Sequence, residues 1–280
     1  MSEILRKTEL APKIFELVVA APRIAEKALP GHFVVVMSGE TAERIPLTIA
    51  DFDRRAGTIT LVVMVVGAGT TKIARLQPGQ TFYALIGPLG KPSEIEKADT
   101  VVMVAGGVGT APVYPIARAF HELGCRVVTI QGARCEQLLF WTDRVAAVSD
   151  RHIITTDDGS FGRKGLVTEP LKELLEEDAD NAIGCVYAIG PAIMMKFASL
   201  TTQPFGVKTV VSLNSVMVDG TGMCGGCRVD VGGETFFTCV DGPEFDGHLV
   251  DWELLMSRQK IYHEQEACAF DRLLREHRTT

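Results

Sequence analysis

The stretch "DTVVMVAGGVGTAPVYPIARAFHELG", residues 99–124, constrains the fold most. It opens with a short, continuous apolar run, turns through Gly106, Gly107 and Gly109, and continues with helical spacing to Gly124. A run of that length bounded by glycines reads as a buried strand, and the segment after the glycines reads as a helix with a glycine stop. "RVVTIQGAR" is the next strand, and "RHIITTDDGSFGRKG" a strand entering a turn. "LVTEPLKELLEED" is a helix, "CVYAIG" a strand, and "PAIMMKFASL" a helix opened by Pro191. Strands alternating with helices require a parallel sheet covered by helices.

The two flanks have a different texture. Residues 1–96 carry β-branched runs such as "KIFELVVAAP", "GHFVVVMS" and "GTITLVVMVVG", bounded by Gly, Pro and Asp. Several short strands at close spacing predict a small β-barrel. Residues 97–210 form the α/β part. Residues 211–280 begin with a segment rich in Gly, Cys and Asp, too poor in apolar runs to build its own core without a metal staple. They end in "EQEACAFDRLLREHRTT", with Ala267, Phe270, Leu273 and Leu274 at helical spacing.

Composition excludes some roles. With 46% hydrophobic and 22% charged residues, the 280-residue chain has material for cores. A net charge of −7 argues against a nucleic-acid surface. No run approaches the roughly 18 apolar residues of a membrane span. The mixed-charge N-terminus lacks the apolar region of a signal peptide, and an odd count of seven cysteines reads as thiols or metal ligands. The expected compartment is the cytoplasm. Cys125 and Cys185 adjoin strand-like runs and read as buried small hydrophobes; Cys135 and Cys268 have no visible partner.

Three turns suit a nucleotide. Gly106, Gly107 and Gly109 lie where backbone can approach a pyrophosphate at a helix start. Asp157 and Asp158 come after a later strand, where a carboxylate can accept ribose hydroxyls, and Gly190 and Pro191 after another. In the first part, Arg44 is a cation suited to phosphate, and Pro46 to Thr48 are extended backbone. Gly67, Gly69, Thr70 and Thr71 stand at a helix start. Residue chemistry alone favours a solvated arginine and an ordinary Thr-capped helix at these positions.

The cysteines of the last part are Cys224, Cys227 and Cys239. A Cys-x-x-Cys pair with a third cysteine downstream signals a metal. Zinc wants a fourth soft or imidazole ligand, and His248 falls outside the usual ligand spacings. A plant-type [2Fe–2S] site runs Cys-x4-Cys-x2-Cys…Cys, which puts Asp219 in the place of the first cysteine. Spacing leaves Asp219 open between a ligand and a turn residue, because "VDGTG" is also a good turn.

The order Arg44-x-Pro-Leu-Thr48, Gly69-Thr70-Thr71, "LIGPLG", "AGGVGTAP" and "IGP" resembles the ferredoxin–NADP reductase superfamily over nearly the whole chain. It is closest to electron-transfer subunits with a C-terminal iron–sulfur module, found in dihydroorotate dehydrogenase, in archaeal sulfide dehydrogenase and in bifurcating NADH-dependent ferredoxin:NADP oxidoreductase. The resemblance implies an FAD-binding barrel over 1–96, an NAD(P)-binding α/β domain over 97–210, and a [2Fe–2S] module with a C-terminal helix over 211–280. Arg44 would hold the FAD pyrophosphate, Pro46, Leu47 and Thr48 would line the ring and ribityl, and Gly69, Thr70 and Thr71 would cradle the phosphates. Gly107, Gly109 and Thr110, with Gly190 and Pro191, would serve NAD(H), and Asp157 or Asp158 its adenosine ribose. Dihydroorotate-type subunits usually have Cys-Gly-Pro where this chain has Ile189, which favours the bifurcating type. So does "DGTGMCGGCR", the pattern in which that type ligates its cluster through the aspartate. The implied centre is [2Fe–2S] on Asp219, Cys224, Cys227 and Cys239.

The implied activity is electron transfer between NAD(H), FAD and the cluster, toward a larger iron–sulfur flavoprotein partner. No Ser-His-Asp or paired-carboxylate arrangement suggests hydrolysis, so no side chain is assigned a catalytic role of its own. The sequence leaves two rival readings: the same domains serving dihydroorotate or sulfide oxidation, and a non-catalytic nucleotide-binding protein with a zinc module. Arg134 suits a 2′-phosphate, whereas Asp157 and Asp158 suit a free ribose; the expectation is NAD(H).

Overall fold

The computed structural model describes residues 2–276. The last four residues of the third expected domain lie outside the described residues.

The first part holds β1 (Ile4–Ala11), β2 (Ile14–Ala20), α1 (Pro22–Lys27), β3 (Phe33–Met37), β4 (Ile45–Asp53), β5 (Thr58–Met64), α2 (Ala68–Arg75) and β6 (Ala84–Leu89). The six strands form one antiparallel sheet in the order β1-β2-β5-β4-β3-β6. An isolated bridge between Glu3 and Thr81 joins the two ends, and no ladder closes a cylinder among the described residues. Alternating apolar positions send Leu17, Val19, Val34, Val36, Ile49, Ile59 and Leu61 into one core. Each such side chain contributes about 1.5–3 kcal/mol on leaving water.

Strand β4 turns a corner. Ile45–Thr48 pair with β3, and Ile49–Asp53 pair with β5 on the other edge. The predicted flavin residues Pro46 to Thr48 therefore lie where β4 changes partners.

The second part holds β7 (Thr100–Gly106), α3 (Thr110–Glu122), β8 (Arg126–Ala133), α4 (Thr142–Ala146), β9 (Arg151–Thr156), β10 (Arg163–Lys164), α5 (Thr168–Glu177), β11 (Ile183–Ile189), α6 (Ala192–Thr202) and β12 (Lys208–Ser212). The last part adds β13 (Arg228–Val231), β14 (Glu234–Phe237), β15 (Glu244–Asp246), α7 (Trp252–Gln259) and α8 (His263–Glu276). A seven-stranded sheet runs β10-β9-β8-β7-β11-β12-β15, parallel except for β15. Its order reverses between β7 and β11, so the switch point of the sheet lies there.

The last part shares its support with its neighbours. β15 extends the α/β sheet, and Val229, Val231, Val250, Trp252 and Leu255 belong to the same core as Val104, Ile130 and Val186. No helix among the described residues is long and apolar enough to cross a membrane.

Candidate functional site

The strand that carries Pro46 to Thr48 is held by direct opposition to β3. Thr48 pairs with Phe33, Leu47 with Val34, and Pro46 with Val35. Directly opposite residues of an antiparallel pair share a face. Leu47 and Val34 point into the sheet core, so Pro46, Thr48, Phe33 and Val35 share the other face. Arg44 stands exposed one residue ahead of β4.

Helix α2 starts beside it. A Cβ on Gly69 would lie 2.9 Å from Ile45 Cδ1 and 3.2 Å from Glu43 Oε2, so α2 packs closely on the Glu43 and Ile45 side chains. Lys72 reinforces the contact with an ion pair to Glu43 at 3.7 Å. The hydroxyls of Thr70 and Thr71 cap the turn: Thr70 Oγ1 accepts from the Val66 and Gly67 N–H groups, and Thr71 Oγ1 donates to Gly67 O at 2.7 Å. The first N–H groups of α2 lack intrahelical acceptors and form the ready anion site. Arg44 and this turn together fit a pyrophosphate, and the flat face at Pro46 and Thr48 fits a ring system.

The nucleotide turns gather at the carboxyl edge of the parallel sheet. Gly107 has φ +56° and open space where a Cβ would stand. Gly109 is pressed against the next turn: a Cβ there would lie 2.1 Å from Ile189 O and 3.0 Å from Gly190 Cα. The Gly107–Thr110 turn and the Gly190-Pro191 turn are thus joined at the switch point, where open α/β sheets bind ligands. Asp157 and Asp158 follow β9 in the turn at the same edge. Asp158 Oδ1 is engaged by the hydroxyl and N–H of Ser160, which hold its carboxyl below the usual carboxylate range. Thr110 is buried, and its hydroxyl meets Gln131 Nε2 at 3.3 Å.

The cysteine centre sits on the β3–β6 edge. Cys227 and Cys239 are each 1% exposed and pack with Phe33 and Val35, with Leu89, Met217 and Phe237 around them. Their sulfurs are 3.1 Å apart, far longer than the about 2.05 Å of a disulfide. Burial, then the Cys227 thiol, pushes the Cys239 thiol up to about 12. Cys224 is exposed, and its sulfur faces the Gly226 N–H at 3.4 Å.

Asp219 joins this loop. Its Oδ1 accepts from the Thr221 N–H at 2.8 Å, and Oδ2 accepts from the Cys224 N–H at 2.7 Å. The Thr221 bond, then the Cys224 bond, holds the Asp219 carboxyl below its usual range. Each oxygen keeps a lone pair, so turn and ligand roles are compatible. Gly220, at φ +75°, lies flat on the first sheet; a Cβ would meet Val35 Cγ2 and Leu89 Cδ1 at 2.9 Å each. Among the described residues no three His, Cys, Asp or Glu side chains converge as a cage for one ion. A two-iron cluster needs no such point, because its four ligands divide between two irons. Two buried thiols, one exposed thiol and one carboxylate on a single loop region supply a donor set that fits it, and His248 is engaged by Thr202 Oγ1 at 2.8 Å instead.

Sequence reasoning missed Phe33 and Val35 as the floor of this centre, and Arg258, whose Nη2 donates to Gly226 O at 3.1 Å. The apolar run 33–37 signalled a strand, but strand pairing carries no local signal. The remaining cysteines fall as read: Cys125 and Cys185 are buried, and desolvation pushes the Cys185 thiol up to about 11.

Comparison with known proteins matches these parts. The iron–sulfur cluster binding domain of dihydroorotate dehydrogenase B matches residues 214–251, and the oxidoreductase NAD-binding domain matches residues 103–200. The chain is 45% identical over 275 residues to a homolog of the electron transfer subunit of dihydroorotate dehydrogenase B (NAD(+)) from Thermotoga maritima, covering 98% of this chain and 96% of that one. Identity to the electron transfer subunit of that enzyme from Desulforamulus reducens is 32% over 260 residues, covering 90% and 98%. The solved structure of an NADH-dependent reduced ferredoxin-NADP oxidoreductase, studied for flavin-based electron bifurcation, contains a chain 44% identical to this one. The two superpose with a TM-score of 0.92, covering 98% of each.

Proposed function

The chain belongs to the family of electron-transfer subunits of dihydroorotate dehydrogenase B and their homologues, and from that premise we propose that it is the small, NAD(H)-handling subunit of a bifurcating NADH-dependent ferredoxin:NADP oxidoreductase. The observation that carries this reading is Phe33. It stands opposite Thr48 on the flavin strand and packs beside Cys227 and Cys239. Adjacent strands are about 4.8 Å apart, so a flavin on β4 and a cluster on β3 are neighbours.

The residues divide the work. Arg44 and the α2 start, Gly69 to Thr71, bind the FAD pyrophosphate. Pro46 and Thr48, with the backbone of Leu47, whose side chain lies in the core, hold the ring against β4. Gly107, Gly109, Thr110, Gly190 and Pro191 bind NAD(H) at the switch point, and Asp157, whose carboxylate is not drawn into the Ser160 turn, accepts its ribose. Asp219, Cys224, Cys227 and Cys239 hold a [2Fe–2S] cluster, and Phe33, Val35 and half-buried Phe237 cover its Cys227 and Cys239 side. When bound, the flavin converts a two-electron hydride into single electrons that the cluster can carry.

A family of electron-transfer subunits implies a larger partner. We assign to that partner a second FAD, [4Fe–4S] clusters, NADPH and ferredoxin. Met223, 89% exposed beside Cys224, with exposed Val218, gives the cluster an apolar face toward it. Ile189 in place of a cysteine ahead of Gly190-Pro191, and Asp219 in place of a cluster cysteine, separate this reading from dihydroorotate oxidation.

Titrating the anaerobically reconstituted protein with NADH and NADPH tests the core of the proposal. NADH should bleach the flavin and then develop the EPR signal of a reduced [2Fe–2S] centre. A colourless zinc protein, or preferential bleaching by NADPH, would overturn it. Co-purification with a TIM-barrel partner would reassign the chain to dihydroorotate oxidation.

A further inference from the structure

Two carboxylates of the first sheet are gripped by the α/β part. Glu16 on β2 has a side chain only 7% exposed and accepts three donors: Arg6 from its own sheet at 2.9 Å, Trp141 Nε1 at 3.1 Å and Arg144 Nη1 at 3.4 Å. Asp51 on β4 accepts Arg118 Nη1 at 2.7 Å and Arg144 Nη2 at 2.5 Å. Arg144 thus bridges both carboxylates. Its guanidinium also lies 4.1 Å over the Trp141 ring and 4.6 Å over Tyr114.

An apolar core accompanies these pairs across the same boundary. Ala11, Ile14, Ala50 and Val62 of the first sheet pack with Ala111, Phe140 and Trp141, and Val108 and Tyr114 complete the group. Trp141 has φ +56°, a left-handed conformation that a bulky residue adopts only where its surroundings demand it. In this conformation the indole Nε1 donates across the boundary to Glu16.

The clasp is tied to both cofactor regions. Asp51 lies on β4 three residues beyond Thr48, about 10 Å along the strand. Arg118 lies on α3 two turns beyond Thr110, about 12 Å along the helix. Val108 and Ala111 of the nucleotide turn are themselves part of the shared core. Gln131, fully buried, donates to Phe140 O at 2.8 Å and meets the Thr110 hydroxyl at 3.3 Å, while His152 Nε2 faces its Oε1 at 3.0 Å. The strand that would carry the flavin and the helix that would carry the nicotinamide nucleotide are therefore bolted together directly.

We propose that Glu16, Asp51, Arg118, Trp141 and Arg144 are positioning residues that fix the Gly107–Ala111 turn at hydride-transfer distance from β4. The alternative role, general cohesion of two domains, would lower stability without separating binding from transfer. Proximity effects make this separation measurable: a small misplacement at a reacting pair costs rate by large factors while leaving binding intact. The inference rests on the proposed NAD(H)–flavin function.

The test uses the reconstituted full chain and stopped-flow bleaching of the flavin by NADH. The hydride carries two electrons and one proton from NADH to the flavin, leaving NAD+. Asp51→Asn and the double variant Glu16→Gln with Asp51→Asn keep shape and remove charge, and Trp141→Phe keeps an aromatic ring and removes the donor. The expected result is a limiting bleaching rate at least tenfold lower, with the NADH concentration for half-maximal rate changed less than threefold. FAD and iron content and reduction by dithionite stay at wild-type levels, and amide exchange in the Gly107–Ala111 turn rises. Bleaching within twofold of wild type in these variants would overturn the clasp, as would a rate loss explained wholly by lost FAD. The single variant Trp141→Phe keeps the test decisive if the double variant does not fold. A wild-type protein that binds FAD but is not bleached by NADH sinks the functional reading itself, an outcome distinct from failure of the variants.

Discussion

Phe33 and Thr48 stand directly opposite each other across the β3–β4 ladder, and the same Phe33 packs beside Cys227 and Cys239. One buried ring thus separates the expected flavin strand from the cysteine centre. Replacing Phe33 by Ala opens a cavity at this junction and should cost about 3–5 kcal/mol of stability. Phe33→Leu preserves most of the apolar volume and should cost less than about 1.5 kcal/mol, in the range of a conservative core exchange. Denaturant unfolding checks both values. The alanine variant should also release iron faster under a chelator, since water gains access to the thiols, whereas equal release rates would show that Phe33 does not shield them.

What was legible in the sequence is what is local. Glycine turns, helix stops and the Cys-x-x-Cys spacing act through backbone conformation within a few residues, so Gly107, Gly124 and the Cys224–Cys227 pair were readable. The α/β alternation was readable because a buried parallel strand is a continuous apolar run. Register was not. Nothing near Phe33 announces Thr48, and nothing in "ERIPLTIAD" announces that β4 changes partner after Thr48. The support of the last part was hidden for the same reason: β15 pairs with β12, more than thirty residues earlier, and Trp252 joins a core built mostly by the α/β part. Trp141 was invisible because positive φ is expected of glycine, and its conformation is imposed by contacts with Tyr114, Phe140 and Glu16.

Gly69 tests the phosphate cradle. Alanine there would place a methyl group 2.9 Å from Ile45 Cδ1, so the Ile45 and Glu43 side chains must shift at the face of the expected cradle. Because alanine is otherwise the better helix former by about 0.8–1.0 kcal/mol, global stability should change little. FAD affinity should fall at least tenfold, measured by quenching of flavin fluorescence on titrating FAD into deflavinated protein. Unchanged affinity would remove Gly69 from the flavin site.

Asp219 has an observed turn role and a proposed ligand role, and one substitution separates them. Asn keeps a side-chain oxygen able to accept the Thr221 N–H, so the turn survives. It loses the negative charge and the second oxygen of the carboxylate, and so becomes a weaker ligand for iron. Asp219→Asn should therefore leave the thermal transition of the metal-free protein within about 1 kcal/mol, the scale of one hydrogen bond, and change the EPR spectrum and iron retention of the reconstituted one. Asp219→Cys should retain the cluster with an altered reduction potential. A spectrum and potential identical to wild type in both variants would leave Asp219 a turn residue only.

Glu244 marks the meeting point of all three parts. It opens β15, and its Oε1 accepts the Ser93 hydroxyl at 2.6 Å, in a space so tight that a Cβ on Gly31 would lie 3.1 Å away. Loss of water raises its carboxyl from 4.5 to about 7. Linkage sets the sign. A folded-state value above the unfolded one means that the neutral acid is favoured by folding, so the contribution to stability is fully present below pH 4.5 and is lost as pH rises to 7. A shift of this size corresponds to about 3 kcal/mol. Glu244→Gln is neutral at every pH and keeps a polar partner for Ser93. It should match wild type near pH 4.5 and exceed it by up to about 3 kcal/mol at pH 8. Urea unfolding of both proteins across this range measures the difference, and parallel stability curves would show that the Glu244 carboxyl titrates as it does in water.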